Sequence, residues 1–258
     1  MKRDFVEERR GKILAHLNDC NRAAISELAQ IFRATEATIR RDLAVLDERG
    51  LVYRVHGGAL RREKPSVWQI TSLHERMEHR SREKERIAEY VASLVNDGDS
   101  IMIDSGSTTL MVAQRLRSRK NLLVVTNAPA LGPVIAEDNS NKIILTGGEL
   151  VKETSSLIGN AAENSLRQYR TDKAIFGVSG LLVAEGCFAA IPQEAEIKRL
   201  MSANSSQTIV VADSSKFETR AFCFVFSFGH VDHLVTDSGV TRSMLHTLRD
   251  SGVDVVVV

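Results

Sequence analysis

Cysteine, proline and tryptophan are scarce in this chain of 258 residues, at three, four and one. The three cysteines, Cys20, Cys187 and Cys223, stand far apart and make neither a C-x-x-C pair nor a metal-ligand spacing, so they read as free thiols. None of the seven histidines belongs to an H-x-E or H-x-x-x-H set, which leaves no basis for a zinc site, and no cofactor is expected. Also missing is any run of about 18 apolar residues, the length a membrane span needs. Met1–Arg10 is densely charged where a signal peptide would carry an apolar core, so a cytoplasmic location with no membrane partner is expected. Neither G-x-x-x-x-G-K-[ST] nor G-x-G-x-x-G occurs, which disfavours ATP and dinucleotides.

What is present is an ordinary folding composition, 43% hydrophobic and 26% charged, with its charge unevenly placed. Residues 1–62 hold 13 Lys or Arg against 9 Asp or Glu, a balance of +4, and the remainder holds 21 against 24, a balance of −3. A basic head on a mildly acidic body fits nucleic-acid contact confined to the head.

Within the head, Ile13, Leu14 and Leu17 share one helical face, interrupted by the polar run Asn18–Arg22. A second short helix carries Ile25, Leu28, Ala29 and Phe32 at helical spacing, with Ser26 at its N-cap or first turn. Thr35 can cap a third helix whose inward stripe is Ile39, Leu43 and Leu46. At 100° per residue Arg41 lies almost opposite that stripe, flanked by Thr38 and Arg40, with the small Ala37 and Ala44 nearby. Short residues allow close approach to a major groove, so Arg41 and Thr38 are the candidates for base edges and Arg40 for a backbone clamp. The plainer alternative is that both arginines solubilise the helix and pair with Asp42, Asp47 or Glu48. After the helix-ending Gly50, LVYRVHGGAL alternates apolar with polar residues around a Gly57-Gly58 turn, the pattern of a wing.

The segment ISELAQIFRATEATIRRDLAVLDERGLVYRVHGGAL resembles the DNA-binding signature of the DeoR family of bacterial transcriptional regulators. The resemblance places T-I-R-R-D-L, Thr38–Leu43, in the recognition helix and Arg54, His56 and Gly57 in the wing, so Thr35, Thr38, Arg40, Arg41, Arg54, His56 and Gly57 form the expected DNA-binding set. Residues 1–62 are then a winged helix-turn-helix domain, with the helix-turn-helix at about residues 22–41.

Residues 63–82 are polar, contain Pro65 and the lone Trp68, and read as a linker in which Trp68 packs on a neighbouring domain. From Glu83, Ile87, Ala88, Val91 and Leu94 mark a helix ending at Asn96-Asp97-Gly98. Beyond it β-rich runs at Ser100–Asp104, Leu122–Thr126, Lys142–Thr146, Lys173–Val178, Thr208–Asp213, His233–Asp237 and Val253–Val258 alternate with helices at Thr109–Leu116, Ala161–Gln168, Gln193–Met201 and Arg242–Ser251. The fold class is therefore α/β: a small all-α, winged-helix domain followed by a larger Rossmann-like domain, residues 83–258, with a largely parallel sheet.

Several strands end in small or polar residues, and ligands of open α/β sheets bind outside those ends. The candidate ligand set is Asp104, Ser105, Gly106, Ser107, Thr108 and Thr109, with Thr126, Asn127, Gly147, Gly148, Glu194, Lys198 and Lys216. In DSGSTT, Gly106 permits a tight turn and the following Ser and Thr residues offer hydroxyls and N–H groups at a helix N-terminus, which is phosphate-binding chemistry. Glu194 and Lys198 are four apart on a helix and read either as an intrahelical ion pair or as a pair that orients sugar hydroxyls.

The order DSGSTT, VVTNA, TGGEL, G-x-S-G, Q-E-A-E-I-K, ADSSKF is similar to the DeoR-family sensor domain, which itself resembles ribose-5-phosphate isomerase. The resemblance implies a phosphorylated sugar as effector, a double-stranded DNA operator as partner, a homo-oligomer (dimer or tetramer), and a repressor of carbohydrate catabolism. An isomerase would need a general base among Asp104, Glu194, Glu196 and Asp213. The isomerases' D-G-A-D-E segment is absent after Lys173–Val178, where GVSGLLVAEG stands, so no enzymatic activity is expected; an isomerase-like enzyme with a DNA-binding head is the alternative.

Overall fold

Apolar residues three and four apart build the first three helices, and those residues are the core of the head. The computed structural model describes residues 2–48, 51–55, 57–61, 70–137 and 140–258, and the chain divides into two compact units after residue 66. In the first unit α1 (Lys2–Cys20) contributes Ile13 and Leu17, α2 (Ile25–Ile31) contributes Leu28, and α3 (Glu36–Glu48) contributes Ile39, Leu43 and Leu46, all buried. Ala23, Val52 and Ala59 complete this core from a three-stranded antiparallel sheet of β1 (Arg22–Ala24), β2 (Val52–Val55) and β3 (Gly58–Arg61), in the order β1-β3-β2.

The two glycines of the wing have different tasks. Gly57, at φ +91°, lies on the connection between β2 and β3. Gly58 belongs to the strand instead, opposite Val55 on one side and Ala24 on the other, where a Cβ would come within 2.4 Å of the Ala23 carbonyl oxygen. The expected Gly57-Gly58 turn is thus one turn glycine and one close-approach glycine, required because β1 crowds β3 from behind. His56, Pro65 and Trp68 lie outside the described residues.

The second unit begins, in its described part, with α4 (Leu73–Glu78) and α5 (Ser81–Ser93). There follow β4 (Ser100–Ile103), α6 (Ser107–Leu116), β5 (Leu123–Thr126), α7 (Leu131–Ile135), β6 (Lys142–Leu145), β7 (Glu149–Val151) and β8 (Ser156–Ile158). The chain then runs through α8 (Asn160–Leu166), β9 (Thr171–Gly177), β10 (Gly180–Leu182), β11 (Gly186–Ala189), α9 (Pro192–Ala203), β12 (Ser205–Val211), β13 (Cys223–Phe226), β14 (His233–Thr236), α10 (Arg242–Asp250) and β15 (Asp254–Val257).

Seven of these strands form one parallel sheet in the order β15-β14-β12-β9-β4-β5-β6. Period-2 alternation sorts their side chains into two cores: Met102, Ala174 and Phe176 face α8 and α9, whereas Ile101, Ile103 and Ile175 face α5 and α6. Burial on both faces explains why these strands are short continuous apolar runs in sequence. The chain leaves β4 toward β5 and β6 on one side and returns to β9, β12, β14 and β15 on the other, so the gap between β4 and β9 is the topological switch point.

The span 70–82, read from sequence as linker, holds α4 and the start of α5. The Ser72 hydroxyl accepts from the Glu75 N–H at 3.3 Å, the Glu75 carboxylate accepts from the Ser72 N–H at 3.1 Å, and Met77 packs on the core under α5 and α6.

Candidate nucleic-acid interface and anion-binding site

The outward face of α3 is set by what holds its inward face. Thr35 caps the helix, its hydroxyl accepting from the Thr38 N–H at 3.2 Å and lying 2.9 Å from the Thr38 hydroxyl. Asp42, almost wholly buried, accepts from Arg9 Nε at 2.6 Å and Arg10 Nε at 3.0 Å, tying α3 to α1. One of the carboxylates that could have neutralised the arginines of α3 is therefore engaged from behind.

Arg40 pairs with Glu36 at 2.7 Å on the exposed surface. Such an i,i+4 pair is worth about 0.3–0.5 kcal/mol, too little to withhold Arg40 from a phosphate. Arg41 is exposed, as are Arg54 and Gly57 on the wing, while Thr38 is half-buried.

In the larger unit the residues around the switch point converge. Asp104, directly after β4, is buried; its carboxylate accepts from the Gly177 N–H at 3.2 Å, at the end of β9, and pairs with the Lys198 ammonium from α9. Burial pushes the Asp104 carboxyl up to about 6, against the pull of Lys198 and the Gly177 N–H. Because the folded protein holds this proton up to about pH 6 and the unfolded chain only to about 3.8, the stability it lends falls as pH rises across that window. Denaturation from pH 4 to 7 should show this fall, and Asp104→Asn should flatten it.

Gly106 starts α6, and the first helical acceptance is the Gly106 carbonyl taking the Leu110 N–H at 2.9 Å, so the amides of Ser107, Thr108 and Thr109 open from the helix end. All three residues are buried. The loop is held from the side by Asn127, which accepts from the Ser105 N–H at 3.2 Å and donates to the Leu157 carbonyl at 3.1 Å. Thr126 fixes the turn that carries Asn127, its hydroxyl accepting from the Ala128 N–H at 3.0 Å.

The other candidates divide. Lys198 pairs with Asp104 and Glu194 accepts from Ser156 at 2.7 Å, so the intrahelical pair considered for these two residues gives way to tertiary partners. Glu196 pairs instead with Arg199 at 3.0 Å and is not drawn into this cluster. Gly148, at φ +115°, has a backbone reason: a Cβ there would meet the Ile158 carbonyl oxygen at 2.4 Å. Gly147 is exposed beside it, at φ +71°.

Charged groups that were not among the sequence candidates complete the constellation. Arg80 donates to the Ser214 hydroxyl at 2.9 Å and lies 3.9 Å from Asp213 and 4.0 Å from Asp237. Lys84 is 2% exposed and donates to the carbonyls of Arg76 and His79. Burial pulls the Lys84 ammonium down to about 8; Asp213 opposes this, whereas Lys216, Arg76 and Arg80 add to it. Burial likewise lowers Lys216, against Asp213 and with help from Arg76. At Asp213 burial pushes the carboxyl up, but Lys216, Ser215 and Lys84 together hold it below its ordinary value. Two clefts, one lined by Leu182, Glu185 and Met244 and the other by Arg199, Phe224 and His230, are built from other residues.

A winged helix-turn-helix with an exposed basic face, carried on one chain with a parallel α/β domain whose switch point gathers cations and helix amides, defines a ligand-responsive DNA-binding regulator. The family model described as the DeoR C terminal sensor domain matches residues 79–238, and that of the DeoR-like helix-turn-helix domain matches residues 9–64. The chain belongs to the DeoR family of transcriptional regulators. It is 35% identical over 249 residues to the transcriptional repressor AccR of Agrobacterium fabrum, covering 95% of this chain and 94% of that one. It is also 35% identical over 224 residues to the glycerol-3-phosphate regulon repressor of Escherichia coli, covering 87% and 88%. Among solved structures, eIF2B delta from Chaetomium thermophilum shares the fold at TM-score 0.51 and 12% identity, over 89% of this chain and 70% of that one.

Proposed function

We propose that this protein represses a carbohydrate-catabolism operon and leaves its operator when a phosphorylated sugar or a related metabolite binds the body. The observation that carries this reading is the open N-terminal turn of α6, Ser107–Thr109, set at the switch point between β4 and β9 among buried cations. Helix amides and ammonium groups in a dry site suit a phosphate, and the neighbouring Asp104, Glu194, Lys198 and Lys216 suit hydroxyls and charge on the rest of the ligand. Gly106 and Ser105 shape the phosphate turn, Thr126 and Asn127 brace it, and Gly147 and Gly148 belong to its outer flank. Relatives named as repressors, one of them of a glycerol-3-phosphate regulon, support the same class of effector.

On the head, Arg41 and Thr38 read base edges, Arg40 and Thr35 seat the helix on phosphates, and Arg54, His56 and Gly57 place the wing on the adjoining backbone. A dimer or tetramer on a palindromic operator doubles this readout, and the effector acts by favouring the assembly whose heads are wrongly spaced. The body senses without catalysing: the isomerase acids are missing, and Asp104 is occupied by Lys198. A cytoplasmic location suits this role, and among the described residues no helix is long and apolar enough to cross a membrane. The test is to titrate the full chain onto DNA from upstream of its own and neighbouring operons, with and without a panel of sugar phosphates. Release by one of them is expected. Binding indifferent to every member of the panel would sink the reading, and turnover of a pentose phosphate by the protein would favour the enzyme instead.

A further inference from the structure

Among the described residues, the guanidinium of Arg76 carries two buried nitrogens with no hydrogen-bond partner. Arg76 projects from α4, and the two are Nε and one terminal nitrogen, Nη2. Buried polar atoms of folded proteins are almost always paired, and a charged one left unpaired is among the costliest defects a fold can carry. The backbone around Arg76 is anything but loose. Ser72 and Glu75 cap α4, the Leu73 N–H donates to the Glu153 carbonyl at 2.8 Å, and Lys84 closes on the carbonyls of Arg76 and His79. The chain thus holds Arg76 in place from three sides while Nε and Nη2 stay without a hydrogen-bond partner among the described residues.

The carboxylates that attract this guanidinium, Glu194 and Asp104, already have other donors: Ser156 for Glu194, and Lys198 with the Gly177 N–H for Asp104. Lys216 stands near enough to be pushed down by it. Asp104 opens the DSGSTT turn and α4 packs on α6, the helix that this turn begins, so the guanidinium belongs to the same cluster of charge. A guanidinium meets a phosphate through paired, charge-assisted hydrogen bonds, for which unoccupied Nε and Nη2 are the matching donors.

We propose that Arg76 is the anion-gripping residue of the effector site, taking the phosphate that the first turn of α6 receives, so that α4, the first described helix of the body, is itself part of that site. The proposal rests on the reading of the body as a phosphate-ester sensor. It adds a route for the signal. Residues 62–72 join β3 of the wing to α4, and an effector that completes the coordination of Arg76 bears on α4 at the end of that connection.

The test compares the full chain with Arg76→Met, which keeps the bulk and removes the charge, and with Arg76→Lys, which keeps the charge and loses the fork. Thermal unfolding and calorimetric titration are followed with inorganic phosphate and with the sugar phosphates of the panel. Without ligand, Arg76→Met is expected to unfold no earlier than the native protein, because an unsatisfied buried charge has gone. Its affinity for the phosphate ester is expected to fall roughly 10- to 100-fold, with Arg76→Lys between, and release of DNA by the ester should fall in step. Native affinity in Arg76→Met would overturn the proposal while leaving the sensor reading intact. Early unfolding of Arg76→Met with ester affinity retained in Arg76→Lys would make the residue structural and overturn it likewise. Absence of any response in the native protein would remove the sensor reading itself.

Discussion

Lys198→Met is expected to destabilise the body by about 3–5 kcal/mol at pH 8, because it strands the Asp104 carboxylate in the interior without its counter-ion. Lys198 and Asp104 are 5% and 1% exposed, so water cannot replace the lost partner. The penalty has an escape: without the lysine, Asp104 takes up a proton more readily still, and the loss should shrink as the pH is lowered toward 5. Adding Asp104→Asn to Lys198→Met should recover much of the stability, since an amide and a thioether leave no buried charge unpaired. Urea denaturation of the two single variants and the double variant at pH 5 and pH 8 measures all of this. A double variant no more stable than Lys198→Met would mean that the lysine acts by packing, not by charge.

Arg41→Ala is expected to erase most sequence preference at the operator while leaving the effector-induced thermal shift unchanged. A two-pronged contact from arginine to a guanine edge is worth about 1–3 kcal/mol, or roughly 5- to 150-fold at that base pair. Arg40→Ala should behave differently, weakening all DNA sequences alike and lowering the salt dependence by about one phosphate. Binding titrations on operator and scrambled duplexes at several salt concentrations separate the two. Uniform weakening by Arg41→Ala, with the ratio of operator to scrambled affinity unchanged, would remove the base-reading role.

The main sheet was readable in the sequence because parallel strands buried on both faces are bare apolar runs that stop at small polar residues; all seven runs correspond to its strands. The recognition helix was readable because Ile39, Leu43 and Leu46 leave a single outward arc. Strands β1, β7, β8, β10, β11 and β13 were not, since they lie outside the parallel sheet and its alternation of strand with helix. The helix α4 was hidden by its polarity, although its S-x-x-E start at Ser72–Glu75 is a helix signal in its own right.

The same polarity hid part of the site. Arg76, Arg80 and Lys84 look solvated in sequence, and only the folded body turns them inward. Glu194 and Lys198 show the converse. Their i,i+4 spacing invites a mutual pair worth a few tenths of a kcal/mol, which loses to buried tertiary partners that no spacing rule can see.

The pairing of β4 with β9 also bears on the order in which the protein comes into being. Ile101 finds its neighbour at Lys173 and Met102 at Ala174, so the middle of the sensor sheet must wait for a long stretch of chain to be synthesised and threaded alongside. The head has no such wait: its core and all three of its strands come from residues 13–61. Contacts that close short loops form sooner than those that close long ones, and chains fold from the N-terminus as they emerge from the ribosome. On the way to maturity, the polypeptide therefore has the means to grasp DNA before it has the means to be told to let go.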